Sequence, residues 1–78
     1  MKISEIRNLL HAEPFRPFVI RVADGGRIRV VHPDFVALAP TGREMSVYQP
    51  NGDHQIIDVM LVTRLEPTVR NGQKKSQK

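Results

Sequence analysis

Apolar and polar positions change period along this chain, and the changes mark its elements. Ile6, Leu9 and Leu10 fall at i, i+3 and i+4, one stripe of a short helix. Ser4 is the expected N-cap, Glu5 lies in the first turn and His11 suits the last turn. The residue before a proline avoids the α region, so Pro14 stops the helix. A helix of about two turns is not stable alone and must pack on something. From Phe18 the period becomes two. Phe18, Ile20 and Val22 share one face of a strand, and Val19, Arg21 and Ala23 the other. Arg27 to Val31 alternates again, with Ile28 and Val30 apolar.

The two alternating runs restrict the hairpin between them. A two-residue loop, Asp24-Gly25, would pair Val22 with Arg27 and mix the faces. A three-residue loop, Asp24-Gly25-Gly26, pairs Val22 with Ile28 and Ile20 with Val30, giving one clean core face. The matching turn is type I followed by a left-handed residue, expected at Gly26.

Beyond the hairpin, "HPD" at 32–34 bends the chain, "FVALA" at 35–39 reads as a third strand and "PTGR" turns it. "EMSVY" at 44–48 is a fourth strand, "QPNGD" a second strong turn and "HQII" at 54–57 a fifth strand. The apolar run 56–62 fits no single period. It reads as one helical turn near 58–60 and a last strand, "LVTRLE", at 61–66, ended by Pro67. The expected fold is mainly β: a short N-terminal helix followed by a small, strongly bent antiparallel barrel of five to six strands. Ile6, Leu9, Leu10, Phe15 and Phe18 are expected to share a core with Val22, Ile28 and Val30. Residues 1–67 form the expected single domain, and 68–78 an expected disordered basic tail.

Pro14-Phe15-Arg16-Pro17 has the spacing of a PxxP ligand, but a helix and a core strand flank it at once. It reads as a joint: Pro14 ends the helix, Pro17 starts a strand edge, and Phe15 and Phe18 pin the two together.

Helix, bent sheet and tight first hairpin together resemble the Sm-like and SH3-like small barrels, the Hfq type among them. The likeness rests on "IRNLLHAEPFRPFVIRVADGGRIRV", "DFVAL" and "LVTRLEP", a little under half of the chain. The chain also resembles a set of small bacterial proteins carrying "PFRPF", "DG" and "HPDFVAL", which brings no activity with it. The Sm-like resemblance implies RNA binding and ring assembly. Yet where that family carries a basic element before its last strand, this chain reads Ile57-Asp58-Val59. The 44–57 hairpin is also longer than the family needs. No family site residue transfers.

Charge refines the picture. The net charge is +4, and Arg70, Lys74, Lys75 and Lys78 account for all of it, leaving eight basic against eight acidic residues in 1–67. The tail either strengthens binding to an anionic polymer by counterion release or is a solubilising end. The chain has no cysteine, so no disulfide framework, which fits a reducing cytoplasm. "MKISEIRNLL", with acidic Glu5 and no apolar core, does not read as a secretory leader, and no stretch is expected to cross a membrane.

Arg21, Arg27 and Arg29 are the leading candidate residues. In the expected register Arg21 faces Arg29, with Arg27 on the same side, and like charges directly opposite are destabilising. Either an anion offsets them, RNA or DNA phosphate above all, or neighbouring acids do: Glu44, Asp58 or Glu66. With Lys74 and Lys75 of the tail they form the expected nucleic-acid-binding set. His32-Pro33-Asp34 and Asp53-His54 have metal-ligand types but sit in turns, where Asp and Pro serve conformation. No nucleophile arrangement or phosphate loop is present, so neither an enzyme nor a bound cofactor is expected. Met45, Val47, Met60 and the mixed faces of 56–62 suggest burial on both sides of a strand. That points to a homo-oligomer formed through sheet edges. The sequence therefore reads as a binding or regulatory module for nucleic acid, with a protein-interaction or oligomeric scaffold module as the alternative.

Overall fold

Each run of one hydrophobic period becomes one element in the computed structural model, which describes residues 1–68. Helix α1 spans Ile3–Leu10, and strands β1 and β2 span Phe18–Val22 and Arg27–Val30. A 3-10 turn, Pro33–Phe35, leads into β3, Val36–Leu38. Strands β4, Glu44–Tyr48, and β5, His54–Asp58, form a second hairpin, and another 3-10 turn, Val59–Leu61, leads into β6, Val62–Pro67. The tail residues Lys74 and Lys75 lie outside the described residues.

The strands form two antiparallel sheets of three, in the orders β2-β1-β6 and β3-β4-β5. No single closed barrel is found among the described residues; the architecture is two small sheets. The break in β strand at residues 31–35 separates β2 from β3, where Pro33 can give no ladder N–H. Both sheets and the helix still share one core. Ile6 and Leu10 of α1, Phe18, Ile20, Ile28 and Val30 of the first sheet, and Met45, Val47 and Ile57 of the second are buried together. Leu9, Phe15 and Val22 pack half-buried against them. Phe15 meets Phe18 edge-on, with ring centroids 6.2 Å apart, and the Pro17 carbonyl accepts a hydrogen bond from Thr68 N–H at 2.9 Å. The Pro14–Pro17 segment is thus a joint.

Two local expectations are corrected. Ser4 is not the N-cap: the helix starts at Ile3, and Lys2 occupies the cap position without a side-chain bond. Ile3 packs against the core, which draws it into the helix. The hairpin loop is Ala23-Asp24-Gly25, not Asp24-Gly25-Gly26. Gly25 N–H donates to Val22 O and Val22 N–H to Gly26 O, and Gly25 carries the positive φ of 93°. Ile20 therefore pairs with Ile28 and Phe18 with Val30, a two-residue shift that keeps the same core face. Gly26 is needed for a different reason: a Cβ there would lie 2.9 Å from Val22 Cγ2.

Gly25→Ala is expected to destabilise by about 1 kcal/mol through the left-handed backbone. Phe18→Ala, at a fully buried site, is expected to cost about 3 to 5 kcal/mol. Urea unfolding of both variants checks the ranking.

Candidate nucleic-acid interface

Burying Phe18, Ile20, Ile28 and Val30 turns Val19, Arg21, Arg27 and Arg29 to the opposite face of the first sheet. The corrected register puts Arg21 across from Arg27, not Arg29; Arg29 lies across from Val19. Strand β6 completes the face, because Arg21 also pairs with Arg64 and Val19 with Glu66. Three arginines, Arg27, Arg21 and Arg64, thus stand in a row across the sheet, with Arg29 and Glu66 flanking Val19 in the next row.

Glu66 is the acid that offsets them. Its Oε1 lies 3.1 Å from Arg21 Nε and its Oε2 2.7 Å from Arg64 Nη2. The hydrogen bond from Arg21 holds the carboxyl below the ordinary glutamate value of 4.5, partly offset by desolvation, and the charges of Arg21, Arg64 and Arg27 act in the same direction as that bond. Of the three acids expected near these arginines, Glu66 is the partner, while Glu44 and Asp58 stand opposite each other on the second sheet. Arg21 is therefore paired. Among the described residues, Arg27 and Arg29 are exposed and have no carboxylate within ion-pair distance.

A register irregularity between Arg21 and Val22 places Thr63 opposite no β1 residue. Its hydroxyl donates to the Arg21 carbonyl at 3.2 Å. An open hollow of about 300 Å³ lies here, lined by Arg21, Thr63, Arg64 and the two turn glycines. The glycine N–H groups already donate to Val22 O and to Asp24 Oδ1, so the guanidinium groups are what this hollow offers an anion.

The turn residues behave as turn residues. His32 Nδ1 accepts from Asp34 N–H at 3.1 Å, and Asn51 Oδ1 accepts from Asp53 N–H at 2.9 Å. His54 stacks on Tyr48, with centroids 4.1 Å apart. Among the described residues no three His, Cys, Asp or Glu come together as metal ligands, and no helix is long and apolar enough to cross a membrane. Met45 and Val47 both face the core, so the expected two-sided burial is not found in β4. Instead Ile56, Met60 and Leu61 are exposed.

Comparison with known protein families, curated proteins and solved structures gives no match.

Glu66→Gln is expected to lower the melting temperature at neutral pH. A carboxylate whose folded pKa is depressed contributes stability above its unfolded pKa and loses it as pH falls through the folded value. The gap between wild type and variant should therefore close below the ordinary carboxylate range. Thermal melts across an acid series check this.

Proposed function

We propose that the protein is a non-enzymatic module that binds nucleic acid through the phosphate backbone, on the outer face of the first sheet. The row of Arg27, Arg21 and Arg64 beside Arg29, offset among the described residues by Glu66 alone, carries this reading. Four guanidinium groups against one carboxylate leave a surplus of positive charge on one face of a body whose residues 1–67 are neutral overall. Guanidinium groups suit bidentate phosphate contacts. Among the described residues no aromatic side chain stands on this face, so the contacts are to backbone and carry no base sequence information. Lys74 and Lys75 would add counterion release. Pairing of β6 back onto β1, and the 3-10 turn before β6, support a small barrel of Sm or SH3 type. The cytoplasm, where RNA is found and disulfides are not needed, is the proposed location.

The alternative, a protein-interaction or oligomeric scaffold module, is favoured by one observation: Ile56 and Leu61 are exposed apolar residues lining a cleft of about 720 Å³.

Anisotropy of a labelled single-stranded RNA or DNA, titrated with protein across a salt series, tests the nucleic-acid reading. Binding is expected to weaken with salt, and Arg27→Ala with Arg29→Ala to reduce the log–log slope by about 0.7 for each phosphate no longer neutralised. Glu66→Gln, which frees Arg21 and Arg64, is expected to bind more tightly while being less stable. Absence of salt-dependent binding by the wild type would leave the scaffold reading.

A further inference from the structure

Among the described residues, two sheets of three strands leave four outer strands, β2, β6, β3 and β5, and open edges invite pairing unless blunted. Three are blunted. Strand β2 carries Arg27 and Arg29, and its Arg29 carbonyl accepts from Gln49 Nε2 at 3.1 Å. Strand β6 is irregular at Thr63 and ends in Pro67, and β3 has only three residues. Strand β5, "HQIID", has no proline, no lysine and no register break.

The direction of its backbone groups follows from the ladder. Val59 N–H donates to Arg43 O and Gln49 N–H to Asp53 O, each at 2.8 Å, and both pairs continue the β4–β5 register. In an antiparallel pair, hydrogen-bonded and non-bonded positions alternate. Gln55 and Ile57 therefore bond to β4, and His54, Ile56 and Asp58 turn their N–H and C=O groups to the open edge. Ile56 is 69% exposed at the centre of that strand. Asp58 stands directly across from Glu44, a like-charge pair without a cation among the described ion pairs.

We infer that β5 pairs antiparallel with β5 of a second copy, about a two-fold axis at Ile56, joining two three-stranded sheets into one. The strand is its own complement, as an isologous interface requires. In this pairing His54 meets the partner's Asp58, Ile56 meets the partner's Ile56, and Asp58 meets the partner's His54. Only this register engages all three outward-facing residues of each strand. It also brings an imidazole to each Glu44–Asp58 pair and covers Ile56. The cleft of about 720 Å³ lies along this strand, lined by Val22, Arg27 and Ile28 of the first hairpin and by Ile56, Asp58 and Leu61, and leaves space there for a partner strand. A foreign peptide would need to reproduce the same order of imidazole, apolar side chain and carboxylate; the second copy has it.

Pairing through β5 does not depend on nucleic-acid binding, and the test contains no nucleic acid. Light scattering of the full 78-residue chain, from tens of micromolar to millimolar, is expected to give twice the chain mass of 8.9 kDa. Ile56→Lys and Ile56→Glu, each alone, are expected to be monomers, because like charges would meet at the axis. Their equimolar mixture is expected to recover the dimer, an outcome that misfolding cannot produce. A monomeric wild type, an assembly larger than two, variants that remain dimeric alone, or a mixture that stays monomeric would each overturn it.

Discussion

Phe18, Ile20, Ile28 and Val30 can be buried only if the residues between them face outward, and those residues are Val19, Arg21, Arg27 and Arg29. Everything distinctive about the first sheet follows from this period of two. The core face fixes which side chains are outside, and the outside is rich in arginine. When β6 joins with Leu65 opposite Ile20, Arg64 and Glu66 must fall on that same outer face. The cost of like charges side by side is offset where Glu66 reaches both Arg21 and Arg64. Arg27 and Arg29 gain no such partner among the described residues.

The two sheets divide the chemistry of the surface between them. The first sheet presents guanidinium groups outward. The second presents Glu44 and Asp58 at one end of its outer face, Ser46 and Ile56 in the middle, and the stacked Tyr48 and His54 at the other. Overall neutrality of residues 1–67 therefore conceals a local difference, because four arginines and one glutamate share the outer face of the first sheet while Glu44 and Asp58 stand on the second. Summed charge speaks to solubility and encounter; only the register shows where a ligand would meet it.

Much of this was legible in the sequence. The helix, the strands and both turns after β3 follow from apolar spacing and from glycine and proline positions. The parity of the first hairpin was legible too, since a one-residue slip would expose the core face. A two-residue shift leaves that face unchanged, so apolar alternation could not choose between Gly25 and Gly26 as the left-handed residue. That choice decided whether Arg21 faces Arg27 or Arg29. Arg64 was not legible as part of this face, because pairing between β1 and β6 joins residues far apart in sequence. Its spacing of two from Glu66 was the available signal: it places the acid and the base on one face of a strand. The open edge of β5 was legible only as an irregular apolar run at 56–62, because which backbone groups point outward depends on the β4–β5 ladder.

Burial of one face of the first sheet thus produces an arginine face as its necessary counterpart, and that face is the proposed contact surface for phosphate. The decisive experiment titrates isotope-labelled protein with a short single-stranded RNA, following backbone amides and arginine Nε–H resonances by NMR. The largest shifts are expected at Arg27, Arg29, Arg64 and Thr63, with β3 and β4 unmoved. Shifts concentrated on the second sheet, or none at any residue, would contradict a phosphate-binding arginine face.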